Sequence, residues 1–278
     1  MITLAVFLFA IVIVLISSVP VIFPAIVQSD ITTHVNIPRV GPNQYELGMW
    51  AVPLIITNFI IFGSFAAYKK GKLPKNIENS LKKIFSFEVS KKTALIAMLV
   101  LLGIYVAFTA NELGVEEQFE DSIGVKNRVD NWNISQISNF EPHVNYFFLK
   151  ASMVLFGNYK VIPFLASISL LLLTYFLTKK ITQKRFAAII AVIVLLQSNL
   201  FLTYDTSLAY SNFWILFYLL SLYLVYRFWP LSPISYLISI PAKALTAAFL
   251  PMSIYFILRS NISKKSKIIV ASSTAIII

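Results

Sequence analysis

The chain has 278 residues, of which 58% are hydrophobic and 13% charged, with a mean hydropathy of +0.78 and a formal net charge of +11. Soluble domains carry about a quarter charged residues, so this composition points to the bilayer. The absence of cysteine excludes thiolate catalysis, disulfides and Cys-ligated zinc. The basic residues fall in short connectors rather than in the stripe that would support nucleic-acid binding.

In chain order, apolar runs predict transmembrane helices at about 3–27, 49–68, 93–110, 160–178, 186–203 and 209–228. The first has neither a basic leader nor a small-residue cleavage site, and reads as a retained helix kinked at Pro20 and Pro24. Residues 69–92 hold eight lysines against two glutamates, which assigns this connector, and with it the N-terminus, to the cytoplasm. The basic stretches 178–185 and 259–267 belong to the same side.

An even number of crossings must separate these connectors. Spans 93–110 and 160–178 satisfy this, so the segment from Glu141 to Gly157, "EPHVNYFFLKASMVLFG", is left without a crossing. Its mixture of aromatics with Asn145, Lys150 and Ser152 suits a helix lying in the outer interface. Residues 231–258 read as a short hairpin broken near Pro241. The closing run "KIIVASSTAIII" is read either as a last short span or as the mark of a fragment or truncated relative of something longer.

The resulting expectation is an all-α polytopic integral membrane protein of the cell membrane, with about seven to nine transmembrane helices and one outer interfacial helix. It divides into a two-helix extension with the lysine-rich connector (1–92) and a membrane domain (93–278), complete or truncated.

Candidate chemistry lies on the outer face. Seven of the twelve acidic residues fall between positions 112 and 141, including Glu116, Glu117, Glu120, Asp121 and Glu141. One reading is a solvated, negatively charged outer loop. The other is a carboxylate site acting as general base or metal ligand. In "VEEQFED", a helical backbone would bring Glu116, Glu117, Glu120 and Asp121 to one face through i,i+4 spacing.

Asp205, in the short turn "TYDTS", is a second candidate, with N-capping of span 209–228 as its plain alternative. Lys243 lies in an apolar hairpin, where an ionisable side chain marks function or snorkels to a lipid phosphate. His34 sits in the N-terminal outer loop with Arg39 and Glu46 and is given no role. "NIS" at Asn133 is a glycosylation sequon on the outer face, and a second at Asn261 is cytoplasmic.

From about 93 to 267 the order of these motifs resembles the first half of a GT-C membrane glycosyltransferase, the class that includes protein mannosyltransferases and aminoarabinose transferases. Glu116-Glu117 stands where that family has an acidic pair. "EPHVNYFFLKASMVLFGN" stands for its His-Pro-Pro interfacial segment. "TKKITQKRFAAIIAVIVLLQSNLFLTYDTSLAYSNFWILFYLLSLYLVYR" stands for the next two spans with their acidic outer turn, and "SIPAKALTAAFLPMSIYFILR" for the later helix pair. Glu replaces Asp in the loop, and His143 follows the proline instead of preceding it.

The resemblance implies inverting transfer of a sugar from a polyprenyl-phosphate donor on the outer membrane face. It implies Glu116 as base with Glu117 beside it, Asp205 as a second acid, and substrate contacts from Glu141, His143 and Lys243, the last to phosphate. A divalent cation, Mg or Mn, would sit on Glu116 and Asp205. The implied partners are the bilayer, the polyprenyl-phosphate-linked sugar and other membrane subunits. The alternative is a non-catalytic scaffold or accessory subunit that keeps the fold; a transporter is a weaker third reading.

Overall fold

The structure is a computed structural model that describes residues 51–117, 120–133 and 141–276, with a few isolated positions before 51. Among these residues every regular element is a helix. The chain forms two compact units, Met1–Phe87 and Glu88–Ile278. The first contains α1 (Ala51–Lys69) and α2 (Lys75–Ser86), where Glu78 and Lys82 pair one turn apart at 2.6 Å. The predicted span 3–27 and the loop holding His34 lie outside the described residues.

The second unit runs α3 (Lys91–Thr109), a 3₁₀ turn (Ala110–Gly114), α4 (Glu120–Asn131), α5 (His143–Phe156), α6 (Val161–Thr182), α7 (Arg185–Leu196) and α8 (Asn199–Tyr204). It continues with α9 (Phe213–Arg227), α10 (Ser232–Ala242), α11 (Leu250–Arg259) and α12 (Lys264–Ile276). Local chemistry sets the boundaries. Ser90 caps α3 by accepting the Thr93 N–H at 3.1 Å. Gly157, at φ 66°, takes the left-handed position that closes α5. Gln183, at φ 58°, does the same for α6, behind Lys179 and Lys180 in its last turn.

α6 is the central element. One face packs Leu170, Leu171 and Tyr175 against Ala94, Met98 and Tyr105 of α3 and Ala188, Ile189 and Val192 of α7. Leu177 meets Tyr218 and Leu222 of α9 and Tyr236 of α10. Outside this core the helices remain apolar. Leu95, Ile96, Leu99 and Phe108 of α3 are 60–77% exposed, large apolar side chains left outside the core.

Among the described residues, two helices are long and apolar enough to cross a membrane: Lys91–Gly114, which joins α3 to its 3₁₀ turn, and Val161–Thr182. The expected seven to nine full spans are not supported. The remaining apolar helices are shorter, and the breaks have local causes. The run 186–203 stops at Gln197 and restarts when Ser198 caps α8. The run 209–228 is helical only from Phe213. The hairpin breaks at Lys243, whose backbone is extended, two residues beyond Pro241. Pro251 then opens α11. Residues 143–156 form one helix.

Candidate functional site

The segment following α8, residues 205–212, joins the functional candidates. Asp205 holds the C-terminal cap position of α8 and is 1% exposed. It does not cap α9, whose N-cap position is occupied by Asn212. Its Oδ2 accepts from the Thr109 hydroxyl at 3.3 Å, and its main-chain oxygen accepts from the Ser167 hydroxyl at 2.8 Å. Burial pushes the carboxyl up to about 6, and the nearby charge of Glu112 adds to the rise, against the opposing pull of the Tyr105 phenol beside it and of the Thr109 hydrogen bond.

Two residues further on, the Glu117 carboxylate accepts from the Ser207 hydroxyl and, at 2.9 Å, from the Leu208 N–H. The Tyr210 hydroxyl donates to Asp121 Oδ2 at 2.5 Å, and this bond pushes the phenol up to about 12. Carboxylates of the acidic loop therefore hold the turn in place. On the other side, Lys160 Nζ donates to the carbonyls of Glu112 (3.1 Å) and Val115 (2.7 Å), and Asn158 Nδ2 donates to Leu113 (2.8 Å). These bonds tie the end of the 3₁₀ turn and the residue after it to the 158–160 segment.

The helical reading of "VEEQFED" is corrected here. Glu116 and Glu117 are in no helix, and the chain here is held by Lys160 on one side and the 205–212 turn on the other.

Two cavities flank the turn. The larger, about 610 Å³, is lined by Glu141, His143 and Asn145 from the start of α5, Ser211 and Trp214 from the start of α9, and Lys243 from the break after α10. Glu141 and His143, neighbours in sequence, thus line the same cavity as Lys243, a hundred residues away. Lys243 is exposed, makes no ion pair among the described residues, and holds its ammonium 5.4 Å from the centre of the Trp214 ring.

His143 is 8% exposed and its Nδ1 accepts the Trp132 indole N–H at 3.2 Å. An indole nitrogen only donates, so Nδ1 is bare and the imidazole proton sits on Nε2. Asn145 Oδ1 and Ser211 Oγ are buried and find no partner among the described residues. Such orphans are rare, and here they stand in the wall of a cavity.

The smaller cavity, about 250 Å³, contains Glu116, Glu117, Lys126 and Lys160. The six candidates therefore do not form one cluster: Glu141, His143 and Lys243 share the large cavity, Glu116 and Glu117 the small one, and Asp205 lines neither. Glu116, exposed, and Asp205, buried, do not combine as metal ligands, and no group of three His, Asp or Glu side chains suited to a metal occurs among the described residues.

Sequence reading missed Trp132, Trp214, Asn145 and Ser211 as site residues. Asn145 and Trp214 each lie within two residues of the start of a helix that opens at this end, a placement visible only once those starts are fixed. No family model, curated protein or solved structure matches the chain.

Proposed function

We propose that the chain is a membrane glycosyltransferase that moves a sugar from a polyprenyl-phosphate donor to an acceptor hydroxyl at the outer face of the cell membrane, on a polytopic GT-C-like helical fold. The large cavity carries the reading. It combines an unpaired cation, a carboxylate, an imidazole N–H and an aromatic face, the set a phosphate-linked sugar calls for. In this reading α7 and α8 cross together as one broken span, and α5 lies in the outer interface.

Glu141 is the carboxylate best situated to act as base. The acceptor oxygen attacks the anomeric carbon and yields its proton to Glu141. The bond from that carbon to the phosphate oxygen breaks, and the lipid phosphate departs with the electron pair toward Lys243. His143, presenting Nε2–H, donates to an oxygen of the donor. Glu117 secures the turn, and Asp205 anchors it from beneath.

One observation favours the non-catalytic alternative. Glu117, half of the acidic pair in the family pattern, has both carboxylate oxygens engaged in holding the turn. Transfer from a radiolabelled polyprenyl-phosphate sugar by the native chain, Glu141→Gln and Lys243→Gln in membranes separates the readings. A transferase loses on the order of a hundredfold in kcat in Glu141→Gln at equal expression. A native chain inactive across several donors and acceptors is the scaffold.

A further inference from the structure

At the other end of α9 lies a third cavity, about 320 Å³, bounded by Lys180 and Gln183 at the end of α6, Tyr226 of α9, and Tyr255, Arg259 and Asn261 around the end of α11. Twelve residues of α9 separate Trp214 from Tyr226, so this cavity stands roughly 18 Å along the helix from the first.

Two features set it apart from ordinary basic helix ends. The first is its charge balance. After Glu141 the chain carries a single acidic residue, Asp205, and that lies at the opposite end of the unit. At the basic end Glu88 is already bound to Arg185, through that residue's N–H at 3.0 Å and its guanidinium at 3.4 Å. No acidic side chain lines the cavity.

The second is that other groups already serve the helix ends. The Gln183 amide donates to the Lys180 carbonyl at 2.7 Å, and Lys267 Nζ donates to the Leu258 carbonyl at 2.8 Å. Among the described residues neither the Lys180 nor the Arg259 side chain hydrogen-bonds a terminal carbonyl, the usual task of basic residues at such ends.

We infer that this cavity binds a phosphate-headed lipid on the face opposite the candidate transfer site. Lys180 and Arg259 meet the phosphate charge, and the Tyr226 and Tyr255 hydroxyls and the Gln183 and Asn261 amides hydrogen-bond the headgroup. Ile181 and Phe256 flank the pocket where acyl chains would leave it. The inference does not depend on the proposed sugar transfer.

The test is native mass spectrometry of the full chain in detergent with phosphatidylglycerol or phosphatidylcholine, read as the fraction keeping one lipid. The native chain retains phosphatidylglycerol in preference. Lys180→Gln/Arg259→Gln lowers its apparent affinity about thirtyfold, as two cations at roughly 1 kcal/mol each would. Lys264→Gln/Lys265→Gln, outside the cavity, changes it less than about threefold, the scale of screened surface charge.

Tyr226→Phe/Tyr255→Phe, which leaves the charge intact, weakens binding as well. Equal losses from the two charge-removing pairs would reduce the effect to diffuse surface charge and overturn the site. Absence of any preference between the lipids would do the same. In a separate arm, millimolar inorganic phosphate or glycerol phosphate is added. Failure to displace the lipid identifies the membrane as the source of the ligand; full displacement would overturn the lipid assignment in favour of a soluble phosphate.

Discussion

The Trp132 indole N–H donates to Nδ1 of His143 across 3.2 Å. The contact fixes a tautomer before any ligand arrives, and makes the imidazole a hydrogen-bond donor at Nε2 rather than a base there. Trp132 is itself held in a cluster with Val129, Tyr146, Leu149 and Leu208, so α4, α5 and the 205–212 turn all contribute to the geometry.

Trp132→Phe keeps an aromatic ring in that cluster and removes only the donor. The chain has two histidines, so ¹⁵N spectra of labelled protein, with His34→Gln for assignment, isolate His143. The native ring gives one bare and one protonated nitrogen, and Trp132→Phe gives exchange between tautomers with a stability loss of about 1 kcal/mol. A native ring already in exchange would remove the tautomer argument.

Glu117 is a clamp in this structure, and its removal should be felt at Leu208. In Glu117→Ala the Leu208 N–H and Ser207 hydroxyl lose a charged acceptor, which costs about 1–3 kcal/mol. Hydrogen exchange at the Leu208 amide should accelerate by roughly tenfold or more, with little change in α6. Glu117→Gln, which keeps an acceptor oxygen, should fall between. Unchanged exchange at Leu208 would return Glu117 to the list of free acids.

Asp205 supplies a pH dependence of definite sign. Its carboxyl titrates near 6 in the fold against an ordinary value of 3.8, so between about 4 and 6 the folded chain holds a proton that the unfolded chain has released. Stability therefore falls as pH rises through this window and stays lower above it, by about 3 kcal/mol from this group. Asp205→Asn should flatten the slope and raise the unfolding temperature at pH 7.5, as measured by thermal unfolding in detergent. Were the variant less stable at pH 7.5, the carboxylate would have a compensating partner.

The helices were readable where apolar runs ended in strong local signals: Ser90, Gly157, and the basic turn before Arg185. The missed interruptions share a cause. Gln197-Ser198 and the turn before Phe213 are short polar positions within runs whose hydropathy stays high, and hydropathy does not register a change of backbone direction, whereas the break at Lys243 was signalled by Pro241. At the site, the same limit separated Glu116 from Asp205. Shared location on one face did not mean contact, because hydrogen bonds from Lys160, Ser207 and Leu208 direct the acidic loop into a cavity of its own. Glu141, His143 and Lys243 were each singled out from sequence as ionisable groups beside apolar segments; their meeting in one cavity depended on the packing of α5, α9 and α10.

The pairing of Trp214 with Lys243 gives the proposed transferase a kinetic signature. The ammonium stands over the ring at 5.4 Å, an interaction worth about 0.5–2 kcal/mol that holds the cation where a phosphate would meet it. Trp214→Leu leaves the charge present but unheld, so donor KM should rise about two- to thirtyfold with a smaller change in kcat. Lys243→Gln removes charge stabilisation of the departing phosphate and should lower kcat by on the order of a hundredfold. Lys243→Arg, which retains the cation over the ring, should recover much of that loss. Trp214→Leu and Lys243→Gln lowering kcat and raising KM to the same extent would instead mean that the cavity collapses without either residue, and Lys243 would lose its assignment to the phosphate.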